Sequence, residues 1–180
     1  FQHYPGVVPD IITMAKGLSS SFLPISGVGF KKEIQEHFYN TPLGWGTTYA
    51  AHPVSCIAAF EVINHMLDVD IVGQVKEKEK WLIDNLNELA AKHNAIRQGR
   101  CVGLFSCVDL SGADGNQLVK SFTDPVPEKY VKFKKQLIEN GVYGLMRPPF
   151  LYVAPPLTVT KDELKDAFKR IDGALSILDH

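Results

Sequence analysis

The 180-residue chain is poor in cysteine, with only Cys56, Cys101 and Cys107. They are odd in number and form no CxxC. That argues against a disulfide framework or a structural zinc site and for a reducing, intracellular compartment. The six histidines are scattered, and none falls into HExxH or a comparable metal-ligand spacing. No apolar run reaches the ~20 residues that a membrane helix needs. No sign of charge dominates: 19 basic residues stand against 20 acidic ones, a net charge of −1. Nothing therefore draws the chain electrostatically to nucleic acid or an anionic membrane. Phe1 to Gly6 lack a basic region followed by an apolar core, so no signal peptide is read there. The chain also opens without methionine, directly into a turn and a strand with few strand candidates nearby, which reads as the later part of a larger protein.

What is present suits a globular core: 45% hydrophobic and 22% charged residues. The β-branched run from Val7 to Met14, bounded by Pro9 and Gly17, reads as a short strand buried on both faces, and Ser26 to Phe30 as a second. Lys31 to Phe38 has the composition of a short helix. Pro42, Gly44 and Gly46 keep Asn40 to Pro53 a loop. Pro53 suits a helix N-terminus, and Ile57, Phe60, Ile63, and Met66 or Leu67 mark one apolar helical face. Ile71, Val75, Leu82, Leu86 and Leu89 predict a long amphipathic helix from about Val69 to His93, with Lys76 to Lys80 as its solvated face. Ala95 to Leu110 is strand-like, broken by Gly99 and Gly103, with Cys101 and Cys107 as core residues. Pro127 to Asn140 reads as a helix closed by a left-handed Gly141. Val142 to Met146 and Phe150 to Val153 read as strands. Thr160 and Glu163 form a capping box for a terminal helix carrying Leu164, Phe168, Ile171 and Leu175. Gly27-Val28-Gly29 is a lone GxG in a strand, where packing is the reading rather than dinucleotide binding.

One lysine stands where the first apolar run stops. A lysine at the mouth of a buried strand is desolvated, which favours the neutral, nucleophilic amine. By itself, such a lysine more often snorkels into water. The run Pro9-Asp10-Ile11-Ile12-Thr13-Met14-Ala15-Lys16-Gly17-Leu18, with Pro24-Ile25-Ser26-Gly27-Val28 after it, resembles the Schiff-base lysine segment of class III aminotransferases. Two further stretches carry the same resemblance. Gly46-Thr47-Thr48-Tyr49-Ala50-Ala51-His52-Pro53 combines hydroxyls and backbone N–H groups just before a helix, a setting that suits phosphate. It is similar to the family element in which the threonine before an aromatic binds the cofactor phosphate across a dimer. Trp45 stands where histidine is common and Ala51 where glycine is common. Met146-Arg147-Pro148-Pro149-Phe150 to Pro155-Pro156-Leu157 is similar to the segment whose arginine meets the substrate carboxylate, a role suited to a planar bidentate fork.

The resemblance implies an α/β chain of the aspartate-aminotransferase-like type, a partial fold-type-I transferase. Residues 1–68 would be the C-terminal part of the cofactor-binding large domain, 69–94 a long connecting helix, and 95–180 a C-terminal α+β small domain. It implies pyridoxal 5'-phosphate as cofactor, with Lys16 as the catalytic and cofactor-holding residue, Thr48 on the phosphate and Arg147 on the substrate. The implied activity moves an amino group from an ω-amino acid or amine (4-aminobutyrate, β-alanine or taurine-like) to a 2-oxo acid such as pyruvate or 2-oxoglutarate. The implied partners are those small molecules and a second subunit in a homodimer, in the cytoplasm or mitochondrion. The Gly-rich phosphate loop, the stacking aromatic and the aspartate at the pyridine nitrogen would precede Phe1. The alternatives are a non-catalytic fragment or dimerisation lobe, and an aminomutase or racemase on the same scaffold.

Overall fold

The computed structural model describes residues 4–112, 115–119 and 123–179. They fall into two compact units divided between Asp70 and Ile71.

In the first unit, β1 (Ile11–Ala15) and β2 (Ser26–Phe30) pair antiparallel, with Ile11 opposite Phe30 and Ala15 opposite Ser26. A single 3-10 turn, Lys16–Ser19, reverses the chain between them. Gly29 permits the pairing: a Cβ there would lie 3.0 Å from Cγ2 of Ile12, tighter than side-chain contacts normally allow, so the GxG has a packing role. The strand is not the doubly buried one that its composition predicts. With one neighbouring strand among the described residues, Ile11, Met14, Val28 and Phe30 remain exposed. A short helix, α1 (Lys32–His37), follows, and Lys31 pairs with Asp10 at 2.6 Å. The helix α2 (Pro53–Asp68) begins on Pro53 as expected. Its predicted inner face is turned outward: Ile57, Phe60, Ile63 and Leu67 are exposed, and Ala59 is its buried residue. Within this unit α2 packs on the 3-10 turn, and small alanines allow that approach.

The second unit is an antiparallel four-stranded sheet with three helices. Its strands are β3 (Ile96–Val102), β4 (Phe105–Leu110), β5 (Leu145–Arg147) and β6 (Phe150–Val153), in the order β3-β4-β6-β5. Gly103, at φ +60°, makes the β3–β4 turn. β5 is shorter than the sequence suggests and begins three residues later. The helices are α3 (Ile71–Lys92), α4 (Glu128–Glu139) and α5 (Lys161–Leu175). Leu82, Leu86 and Leu89 of α3, Phe133 and Leu137 of α4, and Leu164, Phe168 and Ile171 of α5 meet Val108, Leu110 and Leu151 of the sheet. Each such side chain contributes roughly 1.5–3 kcal/mol on full burial.

The charged run on α3 is more than a solvated face. Glu79 accepts a hydrogen bond from the Gly103 backbone N–H at 2.7 Å, and Lys78 donates to the Leu157 carbonyl at 2.5 Å. Gly141 takes the left-handed conformation, φ +79°. The Thr160–Glu163 capping box is present in both directions. Cys101 and Cys107 are half-buried. Burial, aided by Glu79, pushes the Cys101 thiol up to about 11. Burial likewise raises that of Cys107, so both stay protonated at neutral pH.

A cluster at the end of α3 ties the unit together. His93, 4% exposed, has Nδ1 2.5 Å from Oδ2 of Asp179 and Nε2 2.6 Å from Oδ1 of Asp172. Lys92 also reaches Asp172, and the other oxygen of Asp179 accepts from the Ala95 N–H at 3.1 Å.

Candidate active site

Lys16 stands at the start of the 3-10 turn, with its backbone in the left-handed region at φ +53°. The turn carries it out of the β1 ladder, so it is exposed rather than desolvated as the sequence reading expects. It lines an open cavity of about 900 Å³ contained in the first unit. The opposite wall comes from the 45–52 loop and the first turn of α2, including Thr47, Tyr49, His52, Ser55 and Cys56. Ser19, Ser21 and Ser26 add hydroxyls beside the lysine. Ser19 is buried and donates to the Leu23 carbonyl at 2.6 Å, which fixes the turn.

Two local properties distinguish this cavity. The first is the N-terminus of α2, which opens on it. His52 supplies no side-chain cap there, so the first-turn N–H groups keep their capacity for an anion. The second is backbone strain. Lys16, Ser21 and Ala51 all line the cavity, and all have positive φ without being glycine, as does the adjacent Ser20. A left-handed non-glycine residue costs roughly 1–2 kcal/mol, and such outliers concentrate at functional sites. Ala51→Gly is accordingly expected to stabilise the chain by about 0.5–1 kcal/mol, net of the entropy that glycine loses. A rise in the urea midpoint at unchanged m-value would register it.

Thr48 is exposed and does not line this cavity, although Thr47 and Tyr49 on either side of it do. Arg147 belongs to the second unit. It ends β5, is exposed, and pairs in register with Phe150, which in turn pairs with Asp109 of β4. Register partners share a sheet face, so Arg147, Phe150 and Asp109 form one row. Asp109 is 2% exposed and takes both Nε (3.1 Å) and Nη2 (3.0 Å) of Arg97 on one oxygen. Its other oxygen has no partner among the described residues.

Comparison with known proteins decides the family. The profile of the aminotransferase class-III family matches residues 1–175.

The chain belongs to the class III aminotransferases.

Among curated relatives, the acetylornithine aminotransferase of Caldanaerobacter subterraneus subsp. tengcongensis is 30% identical over 98% of this chain, and the putrescine aminotransferase of Pectobacterium atrosepticum is 25% identical over 97%. The chain spans 40% and 36% of their lengths. Among solved structures, a taurine:2-oxoglutarate aminotransferase from Bifidobacterium kashiwanohense, in complex with PLP and glutamate, superposes with a TM-score of 0.88 at 28% identity. It is matched over 97% of this chain and 39% of its own. An S-selective transaminase from Bacillus megaterium gives 0.90 at 32% identity, over 99% of this chain and 40% of its own. The mixed architecture is thus part of the fold of these transaminases.

In this class III chain the sequence singles out Lys16 and gives no role to the serine hydroxyls around it. Ser19 and Ser21 could have been singled out, because three small hydroxyl residues directly follow Lys16-Gly17-Leu18. Thr47 was one position from the threonine chosen. Ser55 and Cys56 carry no signal of their own, since on α2 they read as ordinary helix residues. Among the described residues no group of histidines, cysteines and carboxylates could hold a metal ion, and no helix is long and apolar enough to cross a membrane.

Proposed function

We propose that the complete protein is an aminotransferase using pyridoxal 5'-phosphate, and that Lys16 is the residue that holds the cofactor. The observation that carries this reading is the cavity itself. A primary amine, several hydroxyls and an uncapped helix N-terminus face one space of about 900 Å³, within the range of small-molecule sites. That donor set fits an aldehyde-bearing phosphate ester: the amine for the carbonyl carbon, and hydroxyls and N–H groups for the phosphate. When bound, the pyridoxal ring supplies an electron sink for the substrate's α-carbanion.

The chain's own residues have distinct tasks. Lys16, as a free amine, accepts a proton from one carbon of the reacting pair and returns it to the other. Its exposure leaves the amine accessible to an incoming substrate. Arg147 holds the carboxylate of an amino acid or 2-oxo acid through two parallel hydrogen bonds. Thr48 is assigned to the phosphate of a second subunit in a homodimer, a reading supported by its position outside the cavity that Lys16 lines. Residues 1–68 close the cofactor-binding domain, 69–94 lead out of it, and 95–180 form the smaller α+β domain. The substrates are an ω-amino acid or amine, such as 4-aminobutyrate, β-alanine or taurine, and a 2-oxo acid such as pyruvate or 2-oxoglutarate. Among the similar proteins, the taurine:2-oxoglutarate aminotransferase and the putrescine aminotransferase bear names in this range.

Incubating the full-length protein with pyridoxal phosphate, reducing with borohydride and mapping peptides by mass spectrometry tests the assignment. The pyridoxyl mass is expected on the peptide containing Lys16 in stoichiometric amount. Adducts spread over surface lysines would sink the reading.

A further inference from the structure

We propose that Tyr130 is a positioning residue for Arg147, its buried hydroxyl holding the hairpin that presents the guanidinium to a substrate carboxylate. The proposal rests on the carboxylate role given to Arg147 above.

Arg147 stands on a segment with few means of support. β5 has three residues and lies at the sheet edge, so among the described residues its one ladder is with β6. Pro148 and Pro149 link the two strands, and neither has an N–H to donate. The connection can therefore be held only through its carbonyls. One of these, and the carbonyl of the first β6 residue after it, are taken. The Leu110 backbone N–H donates to the Pro149 carbonyl at 3.0 Å. The Tyr130 hydroxyl donates to the Phe150 carbonyl at 3.3 Å. Among the described residues, two side chains hydrogen-bond this hairpin: Ser106 reaches the Val153 carbonyl at its far end, at 2.8 Å, and Tyr130 reaches the Phe150 carbonyl beside the Pro148–Pro149 connection. Phe150 is the register partner of Arg147, so the carbonyl that Tyr130 grips belongs to the residue directly opposite the arginine.

Tyr130 is built to be a fixed point. It is 3% exposed on the first turn of α4 and packs edge-on to Phe133, itself fully buried, with ring centroids 6.4 Å apart. Burial pushes its phenol up to about 12, so it stays a donor throughout the working pH range. Arg147, by contrast, is exposed and makes no ion pair among the described residues. Nothing on its own side chain orients it, and its aim depends on the hairpin. A loosened hairpin would cost binding only of substrates that the arginine holds.

The test uses the full-length holoenzyme, single-turnover half-reactions, and two amine donors of similar size, one with a carboxylate and one without. Tyr130→Phe removes the hydroxyl and keeps the packing. The expected result is an increase of about five-fold in the apparent dissociation constant of the carboxylate donor and of the 2-oxo acid, the size of one lost hydrogen bond. The carboxylate-free amine should be unaffected in both affinity and rate. Arg147→Gln serves as the reference, and adding Tyr130→Phe to it should change nothing further. If both donors shift equally in Tyr130→Phe, its role is structural and the proposal is overturned. If Arg147→Gln discriminates between the donors and Tyr130→Phe does not, the positioning role fails while the arginine's role stands. If Arg147→Gln itself does not discriminate, the carboxylate reading falls and this inference falls with it.

Discussion

Lys16→Ala in the full-length protein is expected to lower the transamination rate by about 10⁴-fold with little change in thermal stability. A positioned proton-transfer group contributes roughly 10²–10⁴-fold, and here the same amine would also be the group that holds the cofactor, which places the loss at the upper end. The small stability effect follows from exposure: Lys16 makes no buried contact, and Ser19 rather than Lys16 anchors the turn through its bond to Leu23. The variant should moreover respond to an added amine. A small primary amine in the buffer replaces the missing group in the 900 Å³ cavity, which is open enough to admit it. Partial recovery proportional to the concentration of protonation-competent amine would identify lost proton transfer. A variant that retains wild-type turnover would remove Lys16 from the mechanism.

The largest effect on stability is expected from His93→Ala. Both ring nitrogens of His93 lie within hydrogen-bond reach of carboxylate oxygens, Nδ1 with Asp179 and Nε2 with Asp172. Removing the ring leaves Asp172 and Asp179 facing one another across a vacated, largely buried site. Leaving two partly buried carboxylates without their shared hydrogen-bond partner costs about 1–3 kcal/mol, to which the lost ring volume adds. Urea unfolding followed through Trp81, in a Trp45→Phe background, reads this directly. The pH dependence has a definite sign. Hydrogen bonds from Lys92 and His93 hold the Asp172 carboxyl below its usual value of 3.8. Its contribution is therefore complete above the unfolded value and is lost as pH falls through the lower, native one. The gap between wild type and His93→Ala should shrink below about pH 4, as the Asp172 carboxylate is neutralised in both proteins. A gap independent of pH would mean that packing alone accounts for the loss.

Local signals in the sequence carried far. Pro53, the Thr160–Glu163 box and Gly141 mark helix ends because their reasons are confined to a few neighbouring residues, and each is found where expected. Ser26–Phe30 is likewise a strand over the predicted span. What escaped the reading depends on partners distant in the chain. The His93 cluster joins residues about 80 positions apart, and no spacing rule links them. The apolar stripe of α2 was visible, but its outward direction was not, because periodicity locates a face without saying what covers it. The site divides in the same way. Lys16 was named from a motif, whereas the hydroxyls, the uncapped helix end and the strained residues around it are brought together only by folding.

That outward stripe has a thermodynamic consequence. Val8, Ile11, Val28 and Phe30 on the β1–β2 side, and Ile57, Phe60 and Leu67 on α2, stay in contact with water in the first unit. Each is already partly covered, so burying the rest of any one of them in an association would release roughly 1–2 kcal/mol. The folding free energy of this unit is therefore not a constant of its sequence. It contains a mass-action contribution that grows with the concentration of whatever covers those side chains, and the unit's folded population is written partly in the chemical potential of its neighbours.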